Sequence, residues 1–135
     1  MMKKNLHNLN IGSKIERSDE RIDQTGEVFT PESFVETMIQ NIPEEDFMNP
    51  NFRFIDSSAG SGNILLTLKK HLLKYHSEDH ILNHMLYAVE FMQDNHQEMC
   101  NRLGVPVTHP HYVCADALTY DYSFGEPQAL EVFMS

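Results

Sequence analysis

The stretch Asp56-Ser57-Ser58-Ala59-Gly60-Ser61-Gly62-Asn63 lies between a short apolar run (Phe52, Phe54, Ile55) and a segment with large apolar residues at Ile64, Leu65, Leu66 and Leu68. That order predicts a strand, a glycine-rich turn and a helix. Gly60 and Gly62 let the backbone turn sharply and approach a ligand, because no Cβ stands in the way. The following helix directs its free N–H groups and the positive end of its dipole at the same place. Asp56, expected at the strand tip, suits a hydroxyl or ammonium better than a phosphate, which it would repel. A strand–GxG–helix turn is also a common structural device, so the remaining chain has to decide its meaning.

Two further apolar runs repeat the pattern. Met85 to Glu90 reads as a buried parallel strand ending in a carboxylate, and His111 to Ala115 as a third strand followed by Asp116. Between them, helices are expected from about Asn63 to Tyr75, with Leu65, Leu68, Leu72 and Leu73 inward, and from Asp94 to Arg102, stopped by Gly104. Ser77-Glu78-Asp79 is expected to cap a short helix in between. Upstream, Thr30 is a good N-cap and Pro31 a good first helical residue; Phe34, Val35, Met38 and Ile39 then supply an inward stripe ending before Pro43. Residues 43–50 read as an acidic turn. Residues 1–24 are polar with isolated apolar residues and read as an N-terminal arm or a loosely docked segment. The main domain is placed at 25–127 and a C-terminal tail at 128–135, where one short helix or strand fits.

Strands joined by helical crossovers run parallel with right-handed connections. The expected fold is therefore α/β, with three parallel strands and crossover helices. Asp56, Glu90 and Asp116 would then line one edge of the sheet. Glu90 is the right type to accept hydrogen bonds from a ribose diol. Phe91 and Met92 can cover a face of an adenine ring, and Asp116 can take its exocyclic amine. Three carboxylates favour a nucleoside without phosphates. Each also has a plain structural alternative, because polar residues often end strands and cap helices.

Composition narrows the classes. The 135 residues make one domain, and 41% hydrophobic content is ordinary for a globular protein. With 20 acidic against 10 basic residues, the formal charge is −10, so tight DNA binding by this chain alone is not expected. No apolar run has the length of a membrane span, and the N-terminus lacks the apolar region of a signal peptide. Cys100 and Cys114 are far apart and lack ligand spacing, which points to reduced thiols and a cytoplasmic location. His76, His80 and His84 share a face if their helix is continuous. Ser77 is expected to interrupt it, and no cysteine or carboxylate completes a ligand set, so no metal site is assigned.

Four segments together carry a family resemblance: Gly26-Glu27-Val28-Phe29-Thr30-Pro31, Asp56 to Leu65, Val89-Glu90-Phe91-Met92-Gln93-Asp94-Asn95, and Ala115-Asp116-Ala117-Leu118. In this order, over about residues 22–120, they resemble the cofactor half of the N6-adenine DNA methyltransferases of restriction–modification systems and phages. The resemblance implies a partial Rossmann-like methyltransferase fold and S-adenosylmethionine as cofactor. It implies that Thr25, Gly26, Phe29, Thr30 and Pro31 contact the methionine part. Asp56, Gly60 and Gly62, with Ser57 and Asn63 beside them, would form the cofactor bed. Glu90 would hold the ribose, Phe91 or Met92 would flank the adenine, and Asp116 and Ala117 would meet its edge. Ser57 stands where the family usually has proline.

The family's catalytic sequence, Asn or Asp followed by Pro-Pro and an aromatic residue, should come soon after the third strand; this chain contains no Pro-Pro. No catalytic residue is therefore assigned, and the isolated chain is expected to be inactive. The first strand, lacking its usual neighbour, is expected to leave an unpaired edge. Another chain, a missing C-terminal half, a second copy or the last eight residues would cover it. Two other classes stay open: a non-catalytic protein that docks on a partner such as a host restriction or defence enzyme, and a degenerate domain that binds no cofactor.

Overall fold

A computed structural model describes residues 8–12 and 32–126. Four strands, β1 (Asn8–Gly12), β2 (Arg53–Ser58), β3 (Leu86–Glu90) and β4 (Tyr112–Cys114), form one sheet in the order β1-β2-β3-β4. Every neighbouring pair is parallel. The helices are α1 (Glu32–Gln40), α2 (Glu44–Met48), α3 (Asn63–Leu72), α4 (Glu78–His80) and α5 (Gln93–Leu103). α4 runs on into a π-helical turn, Ile81–Met85.

The strand order explains the layering. Each connection steps the same way across the sheet, so right-handed crossovers put their helices on one face. Alternate residues on that face (Phe54, Leu86, Ala88 and Tyr112) share a core with Val35 and Ile39 of α1, Phe47 of α2, Leu65, Leu68 and Leu72 of α3, and Met99 and Leu103 of α5. Burying each of the three leucines contributes about 1.5–3 kcal/mol. On the opposite face Tyr87 and Val89 meet Phe124, with Ile55, Val113, Ala115, Ala117 and Tyr120 packed around them. Glu126 ties down the far end of that covering segment: it accepts a 2.6 Å hydrogen bond from the Tyr87 hydroxyl and pairs with Arg53 at 3.1 Å.

The three predicted strands and the helix stopped by Gly104 (φ 79°) are present, and Ser77 caps α4 through a bond from the His80 N–H. The structure corrects several details. β2 runs two residues past Asp56, so Asp56 lies inside the strand instead of at its tip. The edge of β2 is not unpaired, because Asn8–Gly12, expected in an arm, pairs with it in parallel. Asn8-Leu9-Asn10-Ile11 alternates polar and apolar residues, which is a strand pattern. The ladder groups of β2 supply its partner. Residues 43–50 are not only a turn: Glu44, Glu45 and Asp46 favour a helical first turn, and Phe47 anchors α2 in the core, stacked on Phe54 at 5.4 Å. α3 ends at Leu72, and Leu73, off the buried stripe, is 48% exposed; Phe34 is likewise off the narrow inward stripe of α1 and 49% exposed. The tail at 128–135 lies outside the described residues.

Candidate functional site

Strand register sets the height of each carboxylate. Asp56 is level with Ala88, and Glu90 is level with Cys114. Glu90 is thus one pleat nearer the carboxyl edge than Asp56, about 6.6 Å along the strand direction. Asp116 follows two residues beyond Cys114, in the loop after β4. The three acids form a staircase and not the level row expected from the sequence, because β2 is longer than its apolar run suggested. Strand alternation keeps Asp56 and Glu90 on the same face.

The turn between β2 and α3 is built for close approach. Gly60 (φ 59°) and Gly62 (φ 93°) both have left-handed backbones, which side chains resist by roughly 1–2 kcal/mol. A Cβ at Gly62 would also lie 3.0 Å from Cγ of Met99. The turn is fastened to β3: the Gly60 N–H donates to Oε1 of Glu90 at 2.7 Å, and the Ala59 N–H to the Val89 carbonyl at 3.2 Å. The other oxygen of Glu90 accepts from the Met92 N–H at 2.9 Å and the Asn95 side-chain amide at 3.4 Å. No side chain caps the N-terminus of α3, and its first turn holds no acid.

Asp56 is 1% exposed. Its Oδ1 accepts from the Ser58 N–H at 3.0 Å, whereas its Oδ2 is buried with no partner. Burial first, and the nearby Glu90 carboxylate second, push the Asp56 carboxyl up to about 8 against the Ser58 bond, which lowers it. Burial thus favours the neutral acid, whose free Oδ2 can donate to a hydroxyl or, once ionised, accept from a positively charged group. Such perturbed groups are concentrated at functional sites.

The other predicted residues fall into three groups. Phe91 is 59% exposed and Met92 half-buried, both directly beyond Glu90. Asp116 is exposed, and its Oδ1 accepts from the Leu118 N–H at 2.9 Å, so it shapes its own loop; Ala117 packs with the second core cluster. Ser57, half-buried, alternates to the face opposite Asp56. Asn63 turns its amide oxygen to Arg102, at 2.8 Å. Thr25, Gly26, Phe29, Thr30 and Pro31 lie outside the described residues. Reasoning from the sequence missed Asn95, Met99 and Arg102. All three are on α5, and their helical spacing indicates a shared element without revealing that Asn95 reaches Glu90 or that Met99 and Arg102 meet a turn about 40 positions earlier.

Other features do not compete for this chemistry. A groove of about 450 Å³ between α1 and α3, lined among others by Ile39, Ile42, Thr67, Lys70 and His71, belongs to the helix layer and includes none of the three acids. The His76, His80 and His84 rings form a column with centroids 5.5 and 5.1 Å apart. Nε2 of His76 meets the Phe47 carbonyl at 2.7 Å and Nε2 of His80 the Pro50 carbonyl at 2.8 Å. These nitrogens face acceptors as donors would. Among the described residues no group of three His, Cys, Asp or Glu is arranged to hold a metal ion, and no helix is long and apolar enough to cross a membrane.

The sequence matches the family described as N-6 DNA methylase over residues 15–117, about three-quarters of the chain. No curated protein matches it. The matched span includes β2, its glycine turn, β3 with Glu90, and β4 through Ala117. A parallel α/β sheet, a glycine turn fastened to a strand-end glutamate and this match over most of the sequence agree: the chain belongs to the N-6 DNA methylase family.

Proposed function

We propose that this domain binds S-adenosylmethionine at the carboxyl edge of β2 and β3. The observation that carries the proposal is the unpartnered, buried Oδ2 of Asp56 beside the Gly60–Glu90 contact. Leaving a buried polar atom without a partner costs about 1–3 kcal/mol, and a ligand ammonium or hydroxyl would remove that cost. The residues present fit the cofactor. Asp56 offers an oxygen that pairs with a hydroxyl or, once ionised, with an ammonium, Gly60 and Gly62 offer backbone without a Cβ, and Phe91 offers an exposed ring for a base. Glu90 has about four acceptor positions. Three are used by Gly60, Met92 and Asn95, so a ribose diol would take the free one and displace the longest contact, from Asn95.

When bound, this cofactor supplies an electrophilic methyl group. The residues of this chain bind and orient it, and we assign none of them to transfer. The 135 residues contain no Pro-Pro dipeptide, and hence no Asn/Asp-Pro-Pro-aromatic sequence to grip a target adenine. The domain is accordingly a catalytically incomplete relative of the DNA adenine-N6 methyltransferases. A further polypeptide segment or another chain would complete it, docking along an outer strand of the sheet, β1 or β4. The test is calorimetry with S-adenosylmethionine, paired with a methyl-transfer assay on DNA. Micromolar-range binding that is lost in Glu90→Ala and Gly60→Leu, with no transfer, supports the proposal. A folded wild-type chain giving no heat refutes cofactor binding, and turnover refutes incompleteness.

A further inference from the structure

The glycine turn is held from two sides by one structural unit. At its front the Gly60 N–H is bound by Glu90, which ends β3. Behind it stands α5, the helix that follows β3 directly. Arg102, in the last turn of α5, brings Nη1 to 2.9 Å from the Ser61 carbonyl, 3.2 Å from Oγ of Ser61 and 2.8 Å from Oδ1 of Asn63. The two hydrogens on that nitrogen thus serve three acceptors, two of them on a residue only 7% exposed. Met99, three residues earlier and on the same face of α5, places its side chain where Gly62 lacks one.

We infer that Arg102 is a positioning residue for the cofactor site. It acts by fixing Ser61-Gly62-Asn63, so that the Gly60 and Gly62 backbone keeps the geometry that a ligand must find. All three acceptors meet one nitrogen whose direction the planar guanidinium fixes, whereas the ammonium of a lysine turns freely at the end of a flexible stem. Charge-assisted bonds of this type are about twice as strong as neutral ones. α5 begins just after Glu90 and Phe91 and carries Arg102 in its last turn, so the groups proposed for the nucleoside and the turn beneath the rest of the ligand are joined through one helix. This inference rests on the cofactor reading for its purpose, though not for its geometry.

The test uses the full chain and two variants, Arg102→Met, which keeps an apolar stem, and Arg102→Lys. Amide hydrogen exchange is followed without ligand, and S-adenosylmethionine affinity is measured separately. Arg102→Met is expected to speed exchange at Ser61, Gly62 and Asn63 at least tenfold while amides in β3 and the middle of α5 change less than threefold. Affinity is expected to fall about tenfold, with Arg102→Lys intermediate in both respects. Unchanged exchange at the turn overturns the inference, as does an equal rise throughout the domain, which would mark a general stabilising role. If Arg102→Met does not fold, Arg102→Lys decides by the same exchange criterion. Failure of the wild type to bind S-adenosylmethionine would refute the cofactor reading, and the ligand-free exchange data would still decide whether Arg102 holds the turn.

Discussion

Replacing Asp56 by asparagine should separate the stability of this domain from its function. Asp56 is buried, with its carboxyl raised from 3.8 to about 8 by loss of solvent and by Glu90. The folded chain therefore keeps a proton that the unfolded chain releases. Stability from this group is fully present below about pH 4 and is lost progressively as pH rises towards 8. Each pH unit in that window weighs about 1.4 kcal/mol, so the cost at pH 7 approaches about 4 kcal/mol as an upper bound. Asparagine has the same shape, keeps an acceptor for the Ser58 N–H and never ionises. Its amide nitrogen is left unpartnered, as the neutral carboxyl already is, so the two differ little in acid. Asp56→Asn should accordingly match the wild type near pH 4 and exceed its stability by roughly 2–4 kcal/mol at pH 8. Urea unfolding followed by circular dichroism at both pH values measures this. The same variant should bind S-adenosylmethionine at least tenfold more weakly. A stability difference independent of pH, or a less stable variant at pH 8, would show that Asp56 is not a strained neutral acid.

Three other outcomes follow from the same geometry. Gly62→Ala should destabilise the fold by about 1–2 kcal/mol, from its left-handed backbone and the approach to Met99, read as a lowered urea midpoint. Phe91→Ala should leave stability within about 0.5 kcal/mol, because the ring is largely exposed, yet weaken cofactor binding several-fold by removing a stacking surface. A cationic ligand beside Asp56 should lower its raised carboxyl, so binding at pH 7 should release up to one proton and strengthen as pH rises through about 8. Calorimetry in two buffers of different ionisation enthalpy measures the release, and the same heat in both would contradict it.

Two features of the candidate site were legible because their signals are local. Gly60 and Gly62 mark a turn that needs positive φ, and Glu90 ends an apolar run long enough to be a buried strand. The level of Asp56 was not legible. Ser58 extends β2 by pairing with Gly12 of β1 across a shift in register, and small polar residues carry no strand pattern of their own. β1 was missed although Asn8-Leu9-Asn10-Ile11 alternates, since four residues of alternation are weak until an adjacent ladder requires a partner. α2 was read as a turn because Pro43 and Pro50 bracket it, and only the burial of Phe47 makes five residues worth coiling. Arg102 had no local signal, because a guanidinium reaching a carbonyl 41 positions away is a consequence of tertiary structure.

The most direct measurement is a crystal structure of the chain with S-adenosylhomocysteine, the product form of the cofactor. The ligand should lie over the Gly60–Gly62 turn, with its ribose hydroxyls on Glu90, its base beside Phe91 and a donor within hydrogen-bonding distance of Oδ2 of Asp56. Ligand in the groove between α1 and α3 instead, or a site at β2 and β3 left empty at saturating ligand, would contradict that placement.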